Sequence, residues 1–595
     1  MNIEHLTADL FYNGVVNGCH ELIESKDRMN AINVFPVADG DTGDNMASTA
    51  QAIIHLAQQS DDLSETAKSI ADAAVIGAHG NSGMIFSQFF NGLAEGINHD
   101  LVVSPQVFSK LILHASASVR QSIAHPVEGT ILTMMDKWAE LLNKHAKQST
   151  CFIQLFKDCE DSLDKTLQAT QSMLDVLKEA KVVDAGALGF TQFARGFTNY
   201  ICDPKAMYEH HEVAETIYQQ AHLGVEYDHP PALRYCTEAV ICQSEIDQES
   251  LGKLLTSHGD SVVISVNPRL CRFHVHCNKP WLLFDELRNH GLIKYPKVDD
   301  MHRQYEQVHH RKSPIALVMD SSANVPQVWM DDHQIHLIPV NVHLDGNDLL
   351  DYYCVDNDNF YQQLSQTKQY PQTSFPAPGV IKHKFQQIYE HYDHVIVITI
   401  SQALSGTHDA IARAAADFDN ITVVNSKSVA VGSGLMVLEA AKRIKACEPV
   451  EEIVKVIDTL SNRIQVLVMV DQFDSLIRSG RVSRIKGKLA QWSGAKPILS
   501  LDEEGKVMLI DKAFSERKAF AKMIQTVLEN SSHNRLMSYA IIHAGAEEKA
   551  RSFAELTEEA FSMKPEFIEP ASLAIGLHAG HGTIGLAVQY EEPIR

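Results

Sequence analysis

The sequence lacks the features of a membrane-spanning or disulfide-rich chain. None of its apolar runs approaches the roughly 18 residues needed to cross a bilayer, and the run VIVITI at 395–400 is among the most apolar. The ten cysteines include no CxxC pair, and the first residues, MNIEHLTADLF, show neither a basic nor an apolar leader segment. We therefore expect a cytoplasmic protein with no integral membrane segment, while transient contact with a membrane stays open.

Basic residues are also in short supply. Aspartate and glutamate number 75 against 51 lysines and arginines, so the formal net charge is −24. Such a charge disfavours general attraction to DNA or RNA, and we expect no nucleic-acid partner. Because one hydrophobic core rarely grows beyond roughly 250–300 residues, a chain of 595 residues predicts three or four folded units.

The N-terminal third has the spacing of amphipathic helices. Residues 1–205 are predicted to form one domain that is almost wholly helical over 1–200. The clearest stripe of apolar side chains predicts a long helix along residues 151–180. Loops on a rigid scaffold are where chemistry collects. Four glycine-rich connections join the predicted helices: 39–45, 77–83, 126–130 and 184–189.

The rest of the chain changes to strand patterns. Short β-rich runs between 225 and 300 predict a small α/β unit, and a polar, histidine-rich segment at 302–313 indicates a boundary. From 314 to 595, strands alternate with helical windows, which is typical of an α/β fold.

The strongest single motif is NVFPVADGDTGDNM at 33–46. Asp39 and Asp41 flank Gly40, and two carboxylates suit a hard cation such as Mg²⁺, which completes its shell with water and nucleotide phosphates. The predicted helix that follows offers backbone N–H groups to those phosphates. The alternative is an acidic turn that only caps the helix.

Two further loops favour phosphate binding. GAHGNSG at 77–83 supplies a flexible backbone and a hydroxyl at a helix start, and DAGALG at 184–189 is a second acidic glycine loop. The P-loop pattern GxxxxGK[ST] does not occur in the sequence. A GxGxxG match at Gly580, Gly582 and Gly585 has no room for a βαβ unit after it and is a false positive.

Four motifs in order carry a family resemblance: NVFPVADGDTGDNM, GAHGNSG, HPVEGTIL and VVDAGALGF. Together they resemble the ATP-binding domain shared by dihydroxyacetone kinases and bacterial fatty-acid kinases. The resemblance implies an all-α, eight-helix barrel with ATP and Mg²⁺ at one end, and Asp39 and Asp41 as catalytic metal ligands. It also implies a set of nucleotide contacts: Asn33, Thr42, Gly43, Asn45, Met46, Asn81, Ser82, Gly83, Thr130, Asp184 and Gly186.

Two residues depart from that family pattern. Asp44 stands where a small or neutral residue is expected, and His79 stands where arginine is expected. Additional negative charge beside a triphosphate predicts weaker ATP binding.

A second cluster comes from YCTE at 235–238 and HVHCN at 274–278. Alternation along a strand directs His274 and His276 to one face, and Cys236 comes from another strand, so a Cys/His₂ zinc site is geometrically feasible. The alternative is ordinary surface or core histidines. Both motifs resemble the middle domain of fatty-acid kinases, in which the matching residues bind Zn²⁺.

Residues 314–595 resemble the DegV family of fatty-acid-binding proteins. The matching segments are MDSS at 319–322, IPV at 338–340, TSFPAPG at 373–379, SQALSGT at 401–407, NSK at 425–427, GRV at 480–482 and GLHAGHG at 576–582. The resemblance implies an α/β domain that binds a fatty acid through Thr373, Ser374, Ser405, Gly406, Arg481 and His578.

The chemistry of these side chains supports a carboxylate site only when the residues are considered together. Hydroxyl, guanidinium and imidazole groups are donors suited to a carboxylate, but a serine or threonine in such a turn usually caps a helix. Phe375 and Ala377 depart from the more polar residues expected there, which predicts an altered pocket mouth or acyl preference.

The combined motifs predict a fatty-acid kinase fused to its own acyl carrier. Separately from the motifs, we expect a homodimer. Mg-ATP and the bound fatty acid would give ADP and an acyl phosphate. Two alternatives stay open: a lipid-binding regulatory protein with a degenerate kinase domain, and a glycerone-kinase-like phosphotransferase.

Overall fold

The computed structural model describes residues 3–35, 40–99, 102–123, 126–157, 159–204, 230–356, 360–361, 364, 370–471 and 495–593. The chain forms two compact units. The first comprises the residues up to Lys279 together with Leu287–Asp299, and the second comprises Pro280–Glu286 and the residues from Asp300 onward. Within the described ranges, no helix has the length and apolarity to cross a membrane.

The N-terminal region is entirely helical where it is described, which confirms the predicted class. Eight of its helices have eleven residues or more and three are six-residue segments. Their bounds are α1 Ala8–Glu24, α2 Lys26–Ala31, α3 Thr42–Leu56, α4 Leu63–Gly77, α5 Gly80–Gly96, α6 Pro105–Gln121, α7 Ile131–His145, α8 Phe152–Lys157, α9 Glu160–Thr170, α10 Asp175–Ala180 and α11 Ala185–Cys202.

Aromatic side chains fill the centre of this helical region. Phe89, Trp138 and Phe190 pack with ring centroids between 5.3 and 6.3 Å apart, and Phe108 stacks on Phe197 at 5.7 Å. Helices α1 and α11 cross closely because Gly18 has no Cβ, which would lie 2.6 Å from the Phe193 carbonyl oxygen. The core therefore holds the helix ends and their glycine loops in fixed positions.

One helical prediction needs correction. The apolar stripe at 151–180 forms three short helices, α8 to α10, instead of one long one. Most of its members are buried as predicted, but Met173 lies in a turn and is 46% exposed. Helix α9 ends at Thr170, whose hydroxyl donates to the Leu167 carbonyl at 2.7 Å.

The middle part of the chain is a four-stranded sheet with the order β2-β3-β1-β4. Its elements are β1 Tyr235–Cys242, α12 Gln248–His258, β2 Gly259–Val266, β3 Leu270–Cys277 and β4 Leu292–Asp300. Strands β1 and β3 are antiparallel, with Cys236 opposite His276 and Glu238 opposite His274. This register brings the YCTE and HVHCN motifs together.

The second unit is α/β, as predicted. Its helices are α13 Pro280–Leu287, α14 Met301–His309, α15 Gln327–Asp332, α16 Pro378–Tyr389, α17 Thr407–Ala415, α18 Val431–Lys445, α19 Val450–Leu460, α20 Glu516–Ser531, α21 Glu547–Phe561 and α22 Leu573–Ala579. A 3₁₀ turn spans Ser461–Arg463. The segment predicted as a boundary, 302–313, is largely helix α14, whose buried Arg303 donates to the Met330 carbonyl and pairs with Asp331.

Three sheets organise this unit among the described residues. Their orders are β11-β10-β5-β6, β14-β13-β12-β17-β15-β16 and β8-β7-β9, and β10 pairs in parallel with both β5 and β11. The strands are β5 Ile315–Asp320, β6 His336–Ile338, β7 Asn341–Leu344, β8 Asn347–Leu350, β9 Gln372–Ser374, β10 His394–Thr399, β11 Ile421–Asn425, β12 Ile464–Met469, β13 Lys496–Leu501, β14 Val507–Ala513, β15 Leu536–His543, β16 Ile568–Pro570 and β17 Ile584–Tyr590.

Candidate functional site

The predicted magnesium loop leads directly into α3. Asp41 is the residue before that helix, and its carbonyl accepts the Asn45 N–H at 2.9 Å. The Thr42 hydroxyl donates to Asn33 Oδ1 at 2.9 Å, and both side chains are buried. Asp39 lies outside the described residues. The structure therefore places Asp41, Thr42 and Asn33 side by side.

The expectation of free N–H groups at the start of α3 is wrong for two residues. The N–H groups of Gly43 and Asp44 donate to Asn30 Oδ1, at 2.7 and 3.2 Å. Asn30 belongs to α2, so a neighbouring helix caps α3 through a side-chain amide. An anion bound at the start of α3 would need hydrogen-bond donors other than these two N–H groups.

The same contact accounts for Asp44, one of the two departures from the family pattern. Its carboxylate accepts hydrogen bonds from Lys26 Nζ and from Asn30 Nδ2, both at 2.8 Å. The hydrogen bond to Asp44 raises the pKa of Lys26, which favours the charged ammonium group. The negative charge of Asp44 is thus paired with α2. Sequence reasoning missed Lys26 and Asn30, although their spacing of four residues places both on one face of a helix.

The glycine loop at 77–83 meets the magnesium loop. Gly80 has a φ of +58°, and a Cβ there would lie 2.2 Å from Asn45 Nδ2. A Cβ on Gly83 would lie 2.8 Å from the Asn45 carbonyl oxygen. Asn81 and Ser82 lie in the first turn of α5, and Asn81 Oδ1 is buried without a hydrogen-bond partner among the described residues. A buried acceptor with no protein partner is suited to a ligand.

Thr130, Asp184 and Gly186 lie at two helix starts that touch each other. The Thr130 hydroxyl caps α7, and Asp184 Oδ1 accepts the Ala187 N–H at 2.7 Å at the start of α11. Burial raises the pKa of Asp184 to about 7. A Cβ on Gly186 would lie 3.2 Å from the Ile131 side chain. These residues hold the two loops together.

Met46, predicted as a nucleotide contact, is a core residue. Its side chain is fully buried, and its sulfur would lie 2.8 Å from a Cβ on Gly189 of α11. Only its backbone is therefore suited to a ligand.

Cys236, His274 and His276 form the candidate metal centre. One ligand atom from each lies within 4.8 Å of the others, and Cys236 Sγ is 3.6 Å from His274 Nδ1. Burial lowers the pKa of His276 to about 3, so its imidazole is in the neutral form that binds metals. His274 Nε2 is buried without a hydrogen-bond partner among the described residues. Soft sulfur and imidazole donors fit Zn²⁺ with a fourth position open.

Glu238 adjoins this centre and was not singled out by sequence reasoning. Its side chain has no exposed surface, and its Oε1 lies 3.0 Å from His274 Nδ1. Burial disfavours its charge, but Lys297 and the hydrogen bond to His274 outweigh burial and lower its pKa well below the usual range. The signal was available, since Glu238 stands two residues from Cys236 on one strand.

Lys297 of β4 supplies positive charge to the same region. Its Nζ lies 3.1 Å from Asp299 Oδ2. Burial opposes its charge, but the carboxylates of Asp299 and Glu238 raise its pKa, and Asp41 contributes in the same direction. A charged lysine therefore lies near both the metal centre and the magnesium loop.

His79 is the second departure from the family pattern, and an arginine lies beside it. Arg272 Nη2 of β3 is 2.8 Å from His79 Nδ1, and the guanidinium is fully buried. Burial and the charge of Arg272 lower the pKa of His79 to about 4, so His79 is neutral. The loop at 77–83 thus has a guanidinium next to it, contributed by another strand.

The second unit contains a cavity of about 440 Å³, within the usual range for ligand pockets. The predicted residues Thr373, Ser374, Ser405, Gly406 and His578 all line it. Most of the remaining lining is aliphatic, for example Val466, Val468, Leu499, Ile542 and Ile575. An apolar cavity with a few polar groups suits an amphiphilic ligand.

Hydrogen bonds position these polar groups. Thr373 Oγ1 lies 2.9 Å from His578 Nε2, and Ser405 Oγ lies 2.8 Å from Thr407 Oγ1. Phe375 is 44% exposed and lies against Gly406, where a Cβ would be 3.2 Å from its ring. Arg481 lies outside the described residues.

Sequence reasoning missed a relay beside the cavity. Ser374 Oγ is 3.0 Å from His343 Nε2, and His343 Nδ1 is 2.9 Å from Asp348 Oδ1. The three residues come from neighbouring strands β9, β7 and β8, so only the sheet register brings them together. The relay fixes the direction of the Ser374 hydroxyl.

The fold and these residues define a multidomain chain: a helical region, a small α/β region and a DegV-like α/β region. Residues 36–199 match the DAK2 domain, 232–308 the middle domain of fatty acid kinase-like proteins, and 314–591 the DegV family of uncharacterised proteins. This order is that of a fatty acid kinase fused to a DegV domain. The first two matches support a kinase-type enzyme.

The following curated relatives each match about half of the chain. The chain is 27% identical to an uncharacterised protein of Staphylococcus epidermidis and 26% identical to Protein YloV of Bacillus subtilis. These alignments cover 51% and 52% of this chain but only 57% and 58% of the relatives. A DegV domain-containing protein of Staphylococcus aureus is 27% identical over 46% of this chain and 97% of its own length.

Solved structures resemble the C-terminal half. A crystal structure of DegV, a fatty acid binding protein from Bacillus subtilis, is 29% identical and covers 47% of this chain and all of its own, with a TM-score of 0.44. A DegV family protein from Thermus thermophilus is 26% identical and covers 46% of this chain and 99% of its own, also with a TM-score of 0.44.

Proposed function

We propose that the chain is a fatty-acid kinase that carries its own acyl substrate. The DAK2 region binds Mg-ATP, and the DegV region holds the fatty acid whose carboxylate is phosphorylated. The observation that carries this proposal is the Thr373–His578 hydrogen bond in a largely aliphatic cavity, in a chain that also contains a DAK2 domain. We also propose that the protein acts as a cytoplasmic homodimer.

The cavity chemistry suits a fatty acid. Aliphatic side chains enclose the acyl chain, and each buried methylene contributes about 0.8 kcal/mol. Thr373 and Ser405 offer hydroxyl donors, and His578 and Arg481 complete the carboxylate site in our proposal. These contacts leave the carboxylate ionised and oriented.

Phosphoryl transfer then needs little from the protein besides position and charge. A carboxylate oxygen attacks the γ-phosphorus of ATP, the bond from that phosphorus to the β–γ bridging oxygen breaks, and ADP leaves. Asp41 and Asp39 would hold Mg²⁺, which would neutralise charge on the phosphates when bound. The glycine loop with Asn81, Ser82 and Gly83 orients the phosphates, and Lys297 adds positive charge nearby. No general base is required, because the carboxylate carries no proton.

The structure weakens the degenerate-kinase alternative. That alternative was based on Asp44 and His79. Asp44 is paired with Lys26, and His79 is neutral because burial and the nearby Arg272 lower its pKa to about 4. Neither residue therefore adds an unpaired negative charge at the proposed ATP site.

The test is fatty-acid-dependent ADP formation with the product trapped as a hydroxamate by hydroxylamine. The proposal predicts ADP and acyl hydroxamate in equal amounts when a long-chain fatty acid is supplied. Dihydroxyacetone in place of the fatty acid should give no ADP above background. ADP formation with dihydroxyacetone and none with fatty acid would establish the glycerone-kinase alternative.

A further inference from the structure

One face of the β1–β3 strand pair carries five polar side chains. Cys236 and Glu238 of β1 lie opposite His276 and His274 of β3, and Arg272 follows at the same spacing. Alternation directs all five to one side of the sheet. Three of them are the candidate metal ligands, and the other two, Glu238 and Arg272, reach the glycine loop.

Glu238 touches both sites with one carboxylate. Its Oε1 accepts the Gly80 N–H at 2.7 Å and lies 3.0 Å from His274 Nδ1. Its Oε2 lies 3.3 Å from both His79 Nδ1 and Arg272 Nη2. A fully buried carboxylate is stable only when its partners hold it, so its position depends on the metal centre and on the glycine loop together.

Arg272 anchors the carboxylate to the preceding helix. Its Nη1 donates to the Ile76 carbonyl at 3.0 Å near the end of α4, and its Nη2 pairs with Glu238. The segment between α4 and α5 is therefore clamped at its start by Arg272 and at its end by Glu238.

On the nucleotide side, Gly80 is packed too tightly to move alone. Its missing Cβ makes room for Asn45 Nδ2, and Asn45 follows Asp41 by one turn of α3. A shift of the Gly80 N–H therefore moves the start of α5 against Asn45, beside the proposed Mg²⁺ ligand. Close-packed elements respond to such shifts as units.

On the metal side, Glu238 orients His274. With Nδ1 facing the carboxylate, His274 Nε2 is buried without a hydrogen-bond partner among the described residues. A carboxylate behind a ligating histidine fixes the ring and raises its basicity. Metal binding at His274 and the position of Glu238 are thus mutually dependent.

We propose that Glu238 couples the Cys236–His274–His276 metal site to the glycine loop, so that Zn²⁺ and Mg-nucleotide each increase the affinity for the other. The inference rests on the proposed function, because it assigns the nucleotide to residues 77–83. Coupling of this kind is reciprocal and typically changes affinity about 5- to 150-fold. Glu238 is a positioning residue here, since it acts through His274 and Gly80.

The test is a pair of binding measurements on the intact chain. Zn²⁺ affinity is measured by chelator competition with and without a non-hydrolysable ATP analogue and Mg²⁺. Affinity for that analogue is measured by calorimetry on zinc-loaded and zinc-free protein. We expect the same factor, about tenfold or more, in both directions.

Variants then locate the coupling. Glu238→Gln should still bind each ligand but with a coupling factor near one, and Glu238→Asp should retain part of it. Glu249→Gln is the matched control, because Glu249 is exposed on α12 of the same region, and it should couple like the unmodified chain. Full coupling in Glu238→Gln would overturn the role of Glu238.

Measurements on the unmodified protein test the coupling between Zn²⁺ and nucleotide binding even if Glu238→Gln fails to fold. Equal nucleotide affinity with and without Zn²⁺ would overturn the coupling and leave the proposed kinase function intact. Failure of the unmodified chain to bind the nucleotide analogue in either state would overturn the proposed function and the coupling together.

Discussion

At the scale of single residues, Asp41 and Asp44 lie three positions apart in the sequence but have different partners in the structure. Asp41 precedes α3 beside the buried Asn33 and Thr42, whereas Asp44 is held by Lys26 and Asn30. The two carboxylates therefore have different surroundings. Asp44 fastens α3 to α2, whereas Asp41 is the proposed cation ligand.

This difference predicts opposite outcomes for matched substitutions. Asp41→Asn should lower ATP turnover by roughly two orders of magnitude, because a metal clamp contributes several kcal/mol to the transition state. Bound fatty acid should be unchanged. Asp44→Asn, the control, should change turnover less than about threefold, as is usual for a surface pair. Comparable losses in both variants would contradict the assignment.

In the second unit, the position of Thr373 leads to a prediction for fatty-acid affinity. Thr373→Val removes a hydroxyl donor with little change in volume, and a hydrogen bond to a charged group contributes about 1.5–3 kcal/mol. Fatty-acid affinity should fall roughly 10- to 150-fold, measured by displacement of a fluorescent fatty acid. Thr459→Val is the control, because Thr459 lies at an exposed position of α19. Unchanged affinity in Thr373→Val would exclude Thr373 from the carboxylate site.

At the scale of elements, Asp351 ties the end of β8 to the start of α22, the helix that carries His578. Its Oδ1 accepts the Ala574 N–H at 3.3 Å, and its Oδ2 accepts the Ser321 hydroxyl at 2.7 Å. Burial raises the pKa of Asp351 from 3.8 to about 6.

A raised carboxyl pKa makes stability fall as pH rises. Between about pH 4 and pH 6 the unfolded chain loses this proton while the folded chain retains it, so the free energy of unfolding decreases by about 3 kcal/mol. Asp351→Asn should lack that decrease. Urea unfolding of both proteins across this pH range measures the difference, and identical pH slopes would contradict the assignment.

The sequence predicted best those residues whose positions follow from strand alternation or from short motifs. Cys236, His274 and His276 were predicted to meet because alternation fixes which face a side chain occupies, and the β1–β3 register brings them together. Thr373, Ser374, Ser405, Gly406 and His578 were grouped by family resemblance, and the fold places all five on one cavity.

Contacts that depend on packing between elements could not be predicted. Asn30 caps α3 from a different helix, and Glu238 reaches Gly80 across 158 positions of sequence. The stripe at 151–180 was predicted as one helix because its apolar spacing persists across the turns that separate α8, α9 and α10. Periodicity reports which side chains are buried and does not report where the backbone turns.

At the scale of the whole molecule, joining the proposed kinase and carrier sites in one chain would confer an effective concentration in the millimolar range if the connection can span both sites. We therefore predict that transfer occurs within one chain. The single-turnover rate should be independent of protein concentration.

Intact variants test this without cutting the chain. An Asp41→Asn chain keeps a working carrier, and a Thr373→Val, His578→Ala chain keeps a working kinase. Their mixture should show no recovery of acyl phosphate formation at low micromolar concentration. Acyl phosphate formation above the sum of the two variants measured separately would show that transfer takes place between chains.

The central claim is that the carboxylate of a bound fatty acid attacks the γ-phosphorus of ATP. The most direct measurement uses a fatty acid with both carboxyl oxygens labelled with ¹⁸O. Hydroxylamine then releases phosphate from the acyl phosphate by attack at the acyl carbon, so the bridging oxygen stays with phosphorus. Mass spectrometry should find one labelled oxygen in each phosphate formed. Unlabelled phosphate, formed at the same rate as ADP, would mean that water is the acceptor, and it would contradict the account.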